Sequence, residues 1–302
     1  MKRFLIQIGF FLLLIFIFDI ITGRTFSYLV DHAHAGDNRR NNYICNETNQ
    51  DILIFGSSRA IHHYNPLILS DSLNLTCYNC GQDGNGSILH YGRYQLICQR
   101  YQPQILIYDV TPDFDLLEGG DNHTFLAWLK AYYDRDGIRE VFESVDSTEK
   151  YKMYSYMYRY NSSIIQTVLD FINSYYDESM LGFRPSNHEM DTLKISKVPI
   201  QKETYKYDPL KISYIEKMIE KSETTKFIFV VSPIWYGADT LQYTPIKEIC
   251  KRKGLPFLDY SNALRYVHNN YYFSDGVHLN ARGADEFTRN LVQDLKKRNL
   301  LN

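Results

Sequence analysis

The run Asp51-Ile-Leu-Ile-Phe-Gly-Ser-Ser-Arg59 decides the fold. Its first five residues are short, apolar and rich in β-formers and they stop at Gly56, so they read as a buried strand feeding a tight turn. Four more segments have the same character, at 75–79, 104–110, 226–232 and 256–259. Helical patterns lie between them. Ile212, Ile215, Met218 and Ile219 share one face, and Thr244-Pro245 reads as the N-cap and first-turn proline of a helix closed by Gly254. A last helix is expected over about 281–298, capped by Asn280, with Ala284, Phe287, Leu291, Val292 and Leu295 as its buried stripe. Strands alternating with helices predict an α/β domain with a five-stranded parallel sheet covered on both faces. Ligands of such sheets bind at the carboxyl ends of the strands.

Working outward, the chain of 302 residues is 44% hydrophobic and 23% charged, which excludes a disordered or low-complexity protein. A formal charge of -2 argues against a nucleic-acid partner. At the N-terminus Lys2 and Arg3 precede an apolar stretch over 4–22, uninterrupted over 10–18, as in a membrane helix with a positive cytoplasmic flank. A cleaved signal peptide is the competing reading. Its small-residue pattern would be Ala33-His34-Ala35, which lies far beyond the apolar run. The expected organisation is a membrane anchor over 1–24 with the lipid bilayer as its partner, a juxtamembrane linker over 25–48, and an exported domain over 49–302. Residues 115–205 break the alternation, being long, tyrosine-rich and helical in patches at 125–133 and 164–175, and read as an insertion capping the ligand-binding edge, with a plain structural lobe as the alternative. The single CxxC, Cys77-Tyr-Asn-Cys80, has no second pair or histidine at metal spacing, so the five cysteines read as buried or disulfide-bonded thiols. No metal and no cofactor are expected.

Three motifs carry chemistry. Gly56-Ser57-Ser58 holds a serine on a sharp turn at the sheet edge, although Ser-Ser after glycine is also good turn or N-cap chemistry. Ser274-Asp-Gly-Val-His-Leu-Asn280 sets Asp275 and His278 three residues apart just before the last helix. That spacing lets the carboxylate orient the imidazole while its other nitrogen takes a hydroxyl proton. The loop Asn79-Cys-Gly-Gln-Asp-Gly-Asn-Gly86 follows the second strand, and its glycines let backbone N–H groups approach a ligand. Its order, G-x-x-G-x-G, is not the dinucleotide pattern, and no Lys-Ser/Thr follows.

Together these motifs resemble the SGNH (GDSL-type) hydrolase superfamily over most of residues 50–298. The strongest part is Asp275-x-x-His278 followed by Leu279-Asn280-Ala281-Arg282-Gly283, similar to the family's last block. Gly56-Ser57-Ser58 is similar to the first block, with serine in place of the usual aspartate, a variant of membrane-anchored members acting on envelope polymers. The resemblance implies a flavodoxin-like three-layer α/β/α fold, Ser58 rather than Ser57 as nucleophile, and an Asp275–His278 pair serving it. Asn79-x-Gly81-x-x-Gly84 is similar to the second block, which implies that the Gly84 and Ser58 amides form the oxyanion hole. The third block departs: Asp109-Val-Thr-Pro-Asp113 stands where the family has Gly-x-Asn-Asp, leaving Asn85 and His63 as candidate stand-ins for the missing asparagine.

These expectations describe an esterase or O-acyltransferase acting on ester-linked acyl groups, expected to be acetyl, of an exported glycan or cell-envelope polymer. The second reading is a non-catalytic envelope protein of the same fold that binds glycan or an envelope-assembly partner protein.

Overall fold

The computed structural model describes residues 1–161, 163–174, 178–191 and 204–301. The chain divides into two compact units, one of residues 1–47 with 126–177, the other of residues 48–125 with 178–302. The expected insertion at 115–205 is thus shared between them, and residues 192–203 of it lie outside the described residues.

The second unit holds the sheet, made of β1 (Ile52–Gly56), β2 (Cys77–Asn79), β3 (Ile105–Asp109), β4 (Lys226–Val231) and β5 (Phe257–Asp259). All five expected strands are present and every pairing is parallel. The order β2-β1-β3-β4-β5 is the flavodoxin-like doubly wound one, and the expected α/β fold class is what the structure shows. In that order the chain leaves β1 toward one edge and returns to β3 on the other side, so a crevice opens above the β1 and β3 ends. The register pairs Gly56 with Asp109 at that edge.

Burial explains the sheet's composition. Every residue of β1 and β3 is buried, as strands covered on both faces require. Ile52, Ile54, Ile107, Ile228 and Val230 form one core with Ala284, Phe287 and Leu291 of the final helix, Ala281–Lys297. On the other face Phe55 stacks on His90, at 5.0 Å, and meets Tyr94 edge-on, both from the helix Ser87–Cys98. Asn280 caps the final helix as expected, its Oδ1 accepting from the Gly283 N–H at 2.9 Å.

Some local expectations shift. In the helix Pro209–Lys221 the buried face is Lys211, Tyr214, Ile215 and Met218, with Ile212 and Ile219 only half-buried, because that helix turns its tyrosine inward. The helix Thr244–Lys253 takes Tyr243 as N-cap, since the Thr244 hydroxyl donates back to the Leu241 carbonyl instead of accepting from the first turn. Gly254 closes it at φ 67. The patch at 125–133 is a 3-10 run, Asn122–Tyr132, and that at 164–175 is the helix Ile164–Ile172, Tyr175 lying outside the described residues.

The first unit opens with one unbroken helix, Lys2–Asp31, long and apolar enough to cross a membrane, with mean hydropathy 2.7 over its most apolar window. It runs past the expected anchor. The segment expected as a juxtamembrane linker contains a second helix, Gly36–Asn42, and a π-helical turn, Tyr43–Glu47. Asn38 explains the ordering: its N–H and its side-chain amide both donate to Asp170 Oδ2, at 3.0 and 2.9 Å.

Candidate active site

Gly56 makes the site possible. It ends β1 at φ 135, and a Cβ there would stand 2.5 Å from the Asp109 carbonyl oxygen, so only glycine fits between two strands this close. The chain then turns into a short helix, Ser58–His63, whose first residue presents its hydroxyl at the crevice. Ser57, at the N-cap, points inward: it is fully buried and its hydroxyl makes no hydrogen bond.

The loop before the final helix completes the arrangement. A bridge between Phe273 and Leu279 pinches it, and the Ser274 N–H donates to the His278 carbonyl at 2.9 Å. Within it Asp275 Oδ1 accepts the Val277 and His278 N–H groups, each at 2.8 Å, and Oδ2 lies 2.8 Å from His278 Nδ1. His278 Nε2 is 2.8 Å from Ser58 Oγ. Burial pushes the Asp275 carboxyl up, yet the hydrogen bonds from the His278 ring and the two amides outweigh it and hold it below its ordinary value. Ionised Asp275 accepts a hydrogen bond from Nδ1–H, which keeps the proton on Nδ1 and leaves Nε2 as acceptor for the serine O–H. Ser58, His278 and Asp275 are therefore joined in one hydrogen-bonded chain.

His63 fixes this chain from beneath. Its Nε2 accepts the Leu279 N–H at 3.0 Å, so Nδ1 carries the proton and donates to Ser232 Oγ at 2.8 Å. Burial drives its pKa well below the ordinary imidazole value, and with both nitrogens engaged it is no oxyanion donor. His62, next to it, meets Asp83 Oδ1 at 3.1 Å and the Arg184 carbonyl at 2.5 Å.

The four residues expected to line the oxyanion side sit as follows. Asn79 is spent internally: its amide donates to the Ala60 and Tyr64 carbonyls at 2.8 and 3.0 Å, and its oxygen accepts the Gly81 N–H at 3.0 Å. Gly81 lets this loop lie on the first helix, since a Cβ would stand 2.6 Å from the Ile61 nitrogen. Gly84 adopts φ 65 in open space, and Asn85 donates to the Asp83 carbonyl at 2.8 Å. Asn79 and Gly81 thus clamp the loop to the helix that carries Ser58. None of the four lines the cavity onto which Ser58 and His278 open.

That cavity, of about 780 Å³, runs from Ser58 and His278 past Thr111 and Phe114 to Tyr236 and Asn262. Two residues to which the sequence assigned no role form a buried pair here, of which Arg59 lines the cavity. Asp109, at the end of β3, is fully buried and accepts the Tyr64 hydroxyl at 2.6 Å and the Ser232 N–H at 3.2 Å. Arg59, directly after Ser58, pairs with Asp109 Oδ1 at 3.2 Å and donates to the Val110 carbonyl and to Thr111 Oγ1. The sequence held half of the signal: an aspartate closing a continuously apolar strand is buried and needs a partner, but nothing in the spacing names Arg59 as that partner. All five cysteines are free thiols.

No family model and no curated protein matches this chain. Solved structures do. A protein of Bacteroides fragilis assigned as an acylhydrolase is 12% identical, with 87% of this chain and 94% of that one covered and a TM-score of 0.41. A GDSL-like lipase of Bacteroides thetaiotaomicron is 11% identical, with 85% and 97% covered and a TM-score of 0.38. A family two carbohydrate esterase of Clostridium thermocellum, solved with cellohexaose, is 11% identical, with 83% and 65% covered and a TM-score of 0.40. At such identities the chemistry has to come from this chain's own residues.

Proposed function

We propose that this chain is a serine esterase or O-acyltransferase that acts on ester-linked acyl groups, acetyl first among them, of a glycan outside the cytoplasm. The single observation that carries this reading is the pair of 2.8 Å contacts, Ser58 to His278 and His278 to Asp275, at the mouth of a cavity large enough for a sugar residue. His278 Nε2 takes the Ser58 proton as Oγ attacks the ester carbonyl carbon, and the carbonyl electron pair moves onto its oxygen. Collapse breaks the bond to the leaving alkoxide, which receives the proton from His278, and Ser58 is left acylated. Water or a sugar hydroxyl then gives its proton to His278 as its oxygen attacks the acyl carbon, the bond from that carbon to Oγ breaks, and His278 returns the proton to Ser58. Asp275 holds the imidazole in the required tautomer and stabilises the imidazolium in both halves.

The sugar part of the reading is supported by the cavity's lining, which includes Tyr205 and Tyr236 together with Asp239, Gln242 and Asn262. Export by a retained anchor is supported by Lys2 and Arg3 ahead of the exposed apolar surface from Phe4 to Phe18 and by the packing of the helix beyond it.

The test uses the full chain in detergent, a fluorophosphonate probe and p-nitrophenyl acetate. Labelling and turnover that vanish in Ser58→Ala and persist in Ser57→Ala support a serine acyl-enzyme. A folded wild-type protein that neither labels nor turns over would sink the reading and leave a non-catalytic binder.

A further inference from the structure

We infer that Arg59 is the side-chain donor that takes up the negative charge on the acyl oxygen when Ser58 attacks, an inference that rests on the acyl-transfer reading above. Arg59 follows the nucleophile in sequence and lines the same cavity as Ser58 and His278. Among the described residues lining that cavity it is the one with a fixed positive charge, against the carboxylates Asp113 and Asp239. It is only 4% exposed, and burial opposes its ionisation, yet it stays charged because Asp109, Tyr243 and Tyr64 together outweigh that burial.

The guanidinium is only partly committed. The Val110 carbonyl, Thr111 Oγ1 and Asp109 Oδ1 are all met by a single nitrogen, Nη2, the Tyr243 hydroxyl stands against the same guanidinium, and Nε is buried without a hydrogen-bond partner. A guanidinium carries five N–H donors in a rigid plane, so anchoring one nitrogen fixes the orientation of the rest. The anchor points are the last residue of β3 and the two that follow it, and the nucleophile follows β1, the neighbouring strand. The rigid cation therefore belongs to the switch-point crevice where the carbonyl must sit to be attacked. A preorganised charge in a site of low polarity stabilises a developing oxyanion far more than the same group in water.

The chemistry balances without a further reactant. Attack forms the Oγ–C bond, the carbonyl π pair becomes the alkoxide held by Arg59, and collapse returns that pair to the carbonyl as the leaving group departs. Arg59 gains and loses no proton in the cycle.

The experiment compares the full chain in detergent with Arg59→Lys, Arg59→Gln and the double variant Arg59→Gln with Asp109→Asn, which removes the buried pair as a whole. Two esters are used, p-nitrophenyl acetate and the anionic mono-p-nitrophenyl succinate, and each variant is melted by circular dichroism. The expected result is a fall in kcat of about a hundredfold or more for both esters in the Gln variants, KM little changed, with partial recovery in Arg59→Lys. A double variant that melts like wild type and keeps wild-type kcat would overturn the proposal, as would a loss confined to KM for the succinate ester, which marks recognition of a substrate carboxylate. If the Gln variants do not fold, the Lys variant decides: lowered kcat at unchanged KM and melting supports the role, and unchanged kcat overturns it. Absence of turnover and labelling in the wild type is a different failure, that of the acyl-transfer reading itself.

Discussion

Ser58 Oγ and His278 Nε2 stand 2.8 Å apart although 220 residues separate them along the chain. The distance is set from below by His63, one turn on from Ser58, which accepts the Leu279 N–H and so binds the histidine loop to the serine helix. Asp275 sits at the half-exposed end of the same chain of contacts and adds direction rather than cohesion. Positioning and polarisation are thus divided between two buried and exposed partners of the His278 loop.

Asp275→Asn tests the polarising half. The substitution keeps the shape but offers Nδ1 an amide, which favours the tautomer with the proton on the nitrogen facing Ser58. By the precedent of such triads kcat falls by about 10⁴ while the melting temperature moves little. Steady-state turnover of p-nitrophenyl acetate checks this. A loss of less than tenfold would show that Asp275 does not set the tautomer.

His63 makes a prediction in pH. Its folded pKa is pushed down by burial, so near the ordinary value of about 6.5 the unfolded chain takes up a proton that the folded chain refuses. The stability it contributes is fully present above that value and is lost as pH falls below it. His62 has the opposite sign: burial lowers its pKa, but Asp83 and the Arg184 carbonyl outweigh burial and raise it, so its contribution is lost as pH rises. The urea midpoint of the wild type should therefore fall between about pH 6.5 and 5 more steeply than that of His63→Gln, which has no group to charge. Equal slopes would refute the assignment.

What was legible in the sequence follows a physical divide. The five strands were readable because a strand buried on both faces must be continuously apolar, as Ile52 to Phe55 and Ile105 to Tyr108 are. The Asp275–His278 pair was readable because three residues of tight loop fix both partners locally. Arg59 and Asp109 were not assigned, since their pairing depends on β1 and β3 being neighbours, a fact of topology and not of spacing. The apolar face read for the helix Pro209–Lys221 was incomplete for a similar reason: Ile215 and Met218 are buried, but Lys211 also goes inward, because the carbonyls of Asp113, Leu117 and Gly119 converge on its ammonium. Hydrophobic periodicity carries no sign of such a receptor.

Asn79→Ala tests whether that residue serves structure or substrate. Its amide satisfies the Ala60 and Tyr64 carbonyls and its oxygen the Gly81 N–H, all buried. Truncation strands these groups at roughly 1–3 kcal/mol each, before any relaxation. The expected result is a clear fall in urea midpoint with KM for p-nitrophenyl acetate unchanged in the fraction that stays folded. A raised KM at unchanged stability would return Asn79 to the substrate side.

The last prediction concerns the N-terminal helix, which serves as a tether only if it is kept. Asp19, within its apolar sequence, accepts Ser155 Oγ and the Tyr156 and Met157 N–H groups at 2.9, 2.9 and 2.8 Å, which satisfies a carboxylate that lipid alone would not tolerate. Gly23 lies so close to Tyr156 that a Cβ there would be 2.1 Å from its side chain. Phe26 stacks on Tyr160 at 6.0 Å, and Asn42 donates to the Val30 carbonyl at 2.5 Å. From Asp19 onward the helix is therefore part of the first unit's own packing, and cleavage after Ala35 would remove it and open buried surface. Protein isolated from membranes should retain peptides from residues 1–35 by mass spectrometry and resist alkaline carbonate extraction. Gly23→Leu, which overfills the Tyr156 contact, should lower the amount of folded protein recovered, while Ile8→Leu on the exposed apolar stretch should not. A folded, active product beginning beyond Asp31 would show that the segment is a leader and that these contacts are dispensable.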